Sequence, residues 1–199
     1  MIYELRRKML VTIVGIDGSG KTTQVELLKN AGKYSVCAHK ASSEDRSIIE
    51  SISYENYTTF KETLSVAMTL DLLRTYRAEM DSCDNVTLNL WDRYKYCIQA
   101  YFAAEQISYE KTNLLLKELP TPDLTIFLKI DPKVAEKRIH KRGAAKPLEY
   151  AEFLTIVQQR YSEILMNEDH VHMIDCNEKS SDEIHKEIMD AIEKRLQTL

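Results

Sequence analysis

The sequence predicts an α/β fold: a doubly wound, five-stranded parallel sheet flanked by helices. Three observations predict it. Short, continuous apolar runs rich in β-branched residues recur along the chain. Longer segments of helical period separate them. The first run ends at a glycine-rich loop that opens a helix, where such folds bind ligands. Continuous apolar runs, rather than strict alternation, suit strands buried on both faces, as in a parallel sheet.

The expected strands are Met9–Val14, Tyr34–Ala38, Val86–Trp91, Leu124–Lys129 and a shorter fifth at Val171–Ile174. Helices are expected over Thr22–Lys29 and Phe60–Met80, from Asp131-Pro132 onward, and over Leu148–Met166. Asp131 can cap a helix and Pro132 suits its first position. The last helix opens with a capping box from Ser180 to Glu183, and Ile184, Ile188, Ile192 and Leu196 recur every four residues to face a core. Strand and helix alternation with right-handed crossovers gathers ligands at the carboxyl ends of the strands.

The 199 residues suit one domain carrying a small flap, with 44% apolar and 29% charged residues. A net charge of -4 argues against broad nucleic-acid or membrane binding, so any anion must be met by local basic residues. Four scattered cysteines (Cys37, Cys83, Cys97 and Cys176) form no C-x-x-C pair, which fits reduced thiols in a cytoplasm better than a disulfide framework or a zinc site. The amino-terminal apolar run is too short to span a membrane and lacks a signal-type cleavage site.

Gly15 to Thr22 reads GIDGSGKT and fits G-x-x-x-x-G-K-[ST] without a mismatch, using three of the chain's five glycines: Gly15, Gly18 and Gly20. Glycines let successive N–H groups point at one phosphate, and the next helix adds its positive end. Lys21 would reach the β- and γ-phosphates of ATP, and the Thr22 hydroxyl would ligate Mg²⁺. No N-K-x-D or D-x-x-G follows, as a GTPase switch would require. The third run ends at Asp92-Arg93-Tyr94. Asp92 can hold Mg²⁺ or its waters, and the planar fork of Arg93 suits a second phosphate. The other reading is an Asp–Arg pair that merely ends a strand.

With these residues in place, the chain resembles the thymidylate kinase family of P-loop nucleoside monophosphate kinases. The segments GIDGSGKTT, DRYKYCIQAY and TPDLTIFLKIDPKVAEKRIHKRG carry the resemblance, followed by the Glu149, Phe153, Val157, Arg160 and Tyr161 helix and VHMIDC. It implies transfer of the γ-phosphoryl group of ATP, with Mg²⁺, to a deoxynucleoside monophosphate such as dTMP. The ATP cradle would comprise Gly15, Asp17, Gly18, Ser19, Gly20, Lys21, Thr22 and Thr23. Asp17 would also touch the acceptor sugar. Arg46, in SSEDRS, would join Arg93 on the acceptor phosphate, with Leu70 and Arg74 near the base and Tyr101 against the deoxyribose. Arg138 and Arg142 would belong to a small basic lid at about 138–149, over the ATP phosphates. A homodimer and a cytoplasmic location are further expectations of the resemblance. Plainer readings stay open: Arg74 pairing with Asp71, a solvated basic face at Lys137, Arg138, Lys141 and Arg142, Tyr101 as a core aromatic, Arg46 as a surface charge.

The sequence also departs from the family. The arginine-glutamate-proline-glycine stretch after the second strand is absent. The aromatic four residues before Arg74 is Leu70, which offers apolar contact without ring stacking. Cys97 replaces a serine, and one lid arginine is missing where Ala144 to Pro147 stand, with Lys146 as a point charge. These changes leave open another or modified pyrimidine base. A deoxynucleoside kinase using Asp92 as base, and a non-catalytic nucleotide-binding module, are the other readings.

Overall fold

The computed structural model describes residues 8–41, 46–80, 87–107, 110–143, 148–166 and 168–199, and the side chains of these except 46–59 and 111. In chain order the elements are β1 (Met9–Val14), α1 (Lys21–Asn30), β2 (Val36–Lys40), α2 (Arg46–Met80), β3 (Leu88–Asp92), α3 (Lys95–Ala104) and α4 (Glu110–Leu116). There follow β4 (Leu124–Lys129), α5 (Pro132–His140), α6 (Ala151–Leu165), β5 (Val171–Asp175) and α7 (Ser181–Leu196).

The strands form one parallel sheet in the order β2-β3-β1-β4-β5. The three inner strands are buried almost throughout, whereas β2 and β5, at the edges, are partly exposed. That is why the inner strands read as near-continuous apolar runs, interrupted only by the buried Thr12, Asn89 and Thr125 before their last residues. From central β1 the chain turns first toward β2 and β3 and later toward β4 and β5. The connections therefore diverge at the carboxyl end of β1 and leave a crevice there.

Adjacent residues of β3 show which helices cover which face. Asp92 accepts a hydrogen bond from Thr22 of α1, while the Trp91 ring lies 5.5 Å from Tyr76 of α2. Side chains alternate along a strand, so α1 and α2 lie on opposite faces. α7 packs beside α1, α2 packs against α3 and α4, and α3 packs against α6. Both predicted caps form: Asp131 accepts from the Lys133 N–H at 2.8 Å, and Ser180 and Glu183 complete the capping box.

The structure departs from the sequence reading in several places: β2 runs Val36–Lys40, not Tyr34–Ala38, and α6 begins at Ala151, not Leu148. α2 begins at Arg46, not Phe60, and runs 35 residues. Its first turns carry Ser, Tyr, Asn and Thr, which are weak helix formers, so local propensity does not mark that start. Helices α3 and α4, unassigned from sequence, fill the stretch between β3 and β4. Cys37 on β2 is disulfide-bonded, which corrects the expectation of reduced thiols there; Cys97 and Cys176 are free and buried. No helix among the described residues is long and apolar enough to cross a membrane.

Candidate active site

The loop from Gly15 to Gly20 joins β1 to α1 in the crevice. Gly15 and Gly18 both have positive φ, and both are closely abutted. A Cβ on Gly15 would sit 2.5 Å from the Leu128 carbonyl oxygen, and one on Gly18 would sit 2.5 Å from that of Ala135. The loop thus rests on β4 on one side and on α5 on the other. Gly20 caps α1 in a left-handed conformation with no side-chain cap. The first N–H groups of α1 keep their capacity for an anion. The Ser19 hydroxyl is buried without a partner among the described residues. Loop and helix start together form a cradle of donors.

One carboxylate organises the charges around this cradle. Asp17 forms an ion pair with Arg93 through Oδ1, and the Tyr101 hydroxyl donates to Oδ2 at 2.9 Å. Lys21 Nζ lies 3.8 Å from Asp17 Oδ1 and donates to the Ile16 carbonyl at 2.8 Å. Burial would raise the Asp17 pKa, but Arg93 and then Lys21 hold it well below the usual carboxylate range. Burial, with Arg93 next, pulls the Lys21 pKa down to about 8 in spite of Asp17. For Arg93, burial acts downward and is outweighed by Asp17, so it stays charged. Burial and then Asp17 push the Tyr101 phenol well up, so it remains a donor. Arg93 has a φ of 70°, a strained value for a residue with a side chain, at the turn that leaves β3 for α3.

Thr22 donates its hydroxyl to Asp92 Oδ2 at 2.6 Å, and Asp92 Oδ1 is buried with no partner among the described residues. A hydroxyl and an unsatisfied carboxylate oxygen at the mouth of a phosphate cradle are the hard donors Mg²⁺ prefers, with phosphate oxygens and waters to complete its shell. The donor set fits the ion.

Other expected site residues fall at different distances from this centre. Arg138 on α5 brings Nη1 to 3.5 Å from the Gly18 carbonyl, a long contact. Arg142 lies in the turn after α5, exposed, and its guanidinium makes no ion pair or hydrogen bond among the described residues. Leu70 and Arg74 sit one turn apart on α2, both exposed. The side chain of Arg46, at the start of α2, lies outside the described residues, as do 42–45 and 144–147 with Lys146. Thr23 is exposed on the first turn of α1. Tyr101 is no plain core aromatic, since its hydroxyl serves Asp17. Its ring lies 6.2 Å from Phe153 and 6.5 Å from Tyr161 of α6. Cys97 and Tyr161 adjoin this group, buried. The four-residue spacing of Cys97 and Tyr101 is the signal that could have placed both on one face of a helix.

The arrangement offers a cradle for one polyanion, a buried cation beside it (Arg93), and a pair of hard oxygen donors at its mouth. Comparison with known proteins agrees with it. The family model described as thymidylate kinase matches residues 13–188. A probable thymidylate kinase of Archaeoglobus fulgidus is 31% identical over 202 residues, covering 94% of this chain and 96% of its own. A thymidylate kinase of Dictyostelium discoideum is 29% identical, covering 92% of this chain and 84% of its own. Among solved structures, thymidylate kinase from Candida albicans, described as having broad substrate specificity, superposes with a TM-score of 0.76. It is 25% identical, with 96% of this chain and 94% of that one covered.

Proposed function

The chain belongs to the thymidylate kinase family, and from that premise we propose that it transfers the γ-phosphoryl group of ATP to dTMP, giving dTDP. One observation supports the reading for this chain: Asp17 joins Lys21 of the donor cradle to Arg93 at the end of β3, so a second cation stands beside the cradle.

Phosphoryl transfer is governed by positioning and charge neutralisation. The 5′-phosphate of the acceptor, with a second ionisation near pH 6 (about 6), is largely a dianion at neutral pH and needs no general base. One of its oxygens bonds to the γ-phosphorus. The bond from that phosphorus to the β,γ-bridging oxygen breaks, and its electron pair leaves with ADP. The cradle residues Gly15, Gly18, Ser19, Gly20 and Thr23 hold the donor, and Lys21 lies against its β- and γ-phosphates. Arg93, with Arg46, binds the acceptor phosphate. Asp17 and Tyr101 hold the acceptor sugar, with Leu70 and Arg74 toward its base. Thr22 and Asp92 would hold Mg²⁺, which supplies further neutralisation of phosphate charge. Arg138 and Arg142, in a lid at about 138–149, cover the donor phosphates and exclude water. The partners in this reading are two small nucleotides in the cytoplasm, with the chain acting as one catalytic domain.

The base is the point at which a second reading has support. Leu70 stands where the family carries an aromatic, so stacking is lost and a wider range of pyrimidines fits the same reaction. ADP release with ATP, Mg²⁺ and a panel of nucleoside monophosphates tests both. Dominant activity with dTMP supports the first reading, and comparable rates with several pyrimidine nucleotides support the second. Preference for thymidine over dTMP would instead mark a nucleoside kinase, and acceptor-independent binding without ADP release would mark a non-catalytic module.

A further inference from the structure

We propose that Lys40, the last residue of β2, is a further cation for the 5′-phosphate of the acceptor. The proposal rests on the monophosphate kinase reading above and adds a residue to it.

The placement follows from strand register. β2 pairs with β3 in parallel with Lys40 opposite Asp92. His39, one residue earlier, faces α2: its ring lies 4.9 Å from Trp91, and its Nδ1 is 2.9 Å from Glu79 Oε2. Successive side chains alternate, so Lys40 emerges on the other face. That is the face on which Asp92 receives the Thr22 hydroxyl. Neighbouring strands lie about 4.8 Å apart, and the flexible four-carbon stem of lysine spans that gap easily. The next residue fixes the strand end, since the Ala41 N–H donates to the Asp92 carbonyl at 3.1 Å and Ala41 is buried. Lys40 therefore stands on an anchored backbone beside the mouth of the cradle.

Charge gives the reason for a ligand there. Lys21 and Arg93 are both engaged by Asp17 before any substrate arrives. Lys40 is exposed, and its ammonium has no ion pair or hydrogen bond among the described residues. It is thus a cation beside Asp92 that needs no carboxylate displaced to meet a phosphate. The strand order selects which phosphate. The cradle follows β1, Arg93 follows β3, and β2 lies beyond β3. Cations drawn from successively outer strands meet the group farther from the cradle, which in this reaction is the acceptor phosphate. The family motif does not mark this position, because the stretch that normally follows the second strand is replaced here.

The test compares Lys40→Met and Lys40→Arg with the unaltered chain. Calorimetry gives Kd for dTMP, for thymidine, which lacks the phosphate, and for ADP; steady-state kinetics gives KM and kcat. Loss of one charge-assisted contact should weaken dTMP about tenfold. Thymidine and ADP should stay within about twofold of their starting Kd, and Lys40→Arg should restore dTMP binding. The salt dependence of dTMP binding should also become shallower in Lys40→Met. An unchanged Kd for dTMP overturns the proposal. So does an equal loss for all three ligands, which would make Lys40 an edge-strand guard serving the fold. Thermal unfolding of both variants tells a folding defect from a lost contact, with Lys40→Arg keeping the charge if Lys40→Met fails to fold. An unaltered chain that binds no dTMP overturns the acceptor reading itself, and Lys40's role falls with it.

Discussion

Tyr101 donates its hydroxyl to Oδ2 of Asp17 across 2.9 Å, so a residue of α3 holds a carboxylate of the phosphate loop. The bond joins positions 84 apart in sequence. Its consequence is orientation: with Oδ2 taken by Tyr101, Oδ1 is presented to Arg93 and Lys21. Tyr101→Phe keeps the ring against Phe153 and removes only the hydroxyl. A hydrogen bond to a charged group contributes about 1.5–3 kcal/mol, so the acceptor KM should rise about tenfold or more. The KM for ATP should move by less than about twofold. Equal increases in both, read from initial-rate kinetics, would show that Tyr101 serves the loop as a whole and not the acceptor side.

The Lys21 ammonium gives a pH signature. Burial and Arg93 bring its pKa from 10.5 to about 8, so the free site loses this charge as pH rises through that value. Donor phosphates require it, and kcat/KM for ATP should fall on an alkaline limb with an apparent pKa of about 8. Stability should move the other way. Between about 8 and 10.5 the unfolded chain keeps this proton while the folded one releases it. The unfolded state then binds more protons, and the Lys21 contribution to stability rises with pH. Asp17→Asn removes a charge that supports the ammonium, so its limb should lie at lower pH. Kinetics and thermal unfolding across pH 7 to 10 (roughly this window) read both effects. A flat ATP profile, or a limb that moves upward in Asp17→Asn, would disprove this account.

Asp92 offers a separable test of the metal. Asparagine can still accept the Thr22 hydroxyl but lacks the second anionic oxygen, the buried Oδ1, unpartnered among the described residues. Asp92→Asn should fold normally, need a higher Mg²⁺ concentration for half-maximal rate, and lose about 100-fold or more in kcat. EDTA should stop turnover by the unaltered chain while leaving dTMP binding within about twofold. Wild-type Mg²⁺ dependence in Asp92→Asn would remove the residue from the metal site.

These tests divide along what could be read without coordinates. Lys21, Thr22, Asp92 and Arg93 were legible because each belongs to a contiguous motif at the end of a buried strand, and burial of the inner strands on both faces makes those strands conspicuous. The Asp17–Tyr101 bond was not, because the one local cue in α3, the four-residue spacing of Cys97 and Tyr101, says nothing of a partner 84 residues away. Lys40 was hidden for another reason. Its importance comes from register against Asp92, and pairing between strands 52 residues apart leaves no local trace. The start of α2 was misplaced because Ser, Tyr and Asn at 47–59 argue locally for a loop, whereas the backbone there is helical. Cys37 shows the same limit, since a disulfide follows spatial proximity that spacing alone cannot reveal.

Arg138 and Arg142 are distinguished by where they stand before substrate binds. Arg138 already approaches the Gly18 carbonyl, and Arg142 follows it by four residues. The backbone keeps turning between them: Lys141 N–H donates to Lys137 and Arg142 N–H to Ile139. Arg142 thus stands in the turn just past α5, exposed, and its guanidinium makes no ion pair or hydrogen bond among the described residues. If both act on the transferring phosphoryl group, each alanine variant should lower kcat by roughly 10³-fold with the dTMP KM little changed, the scale of an arginine that meets transition-state charge. Arg138→Ala should in addition weaken ADP binding, because its contact with the loop exists in the free chain. Arg142→Ala should leave ADP binding intact and show its loss in kcat and in single-turnover rates alike. Unchanged single-turnover rates in Arg142→Ala would make that residue part of a solvated basic face, and the chemistry would rest on Arg138, Lys21 and Arg93.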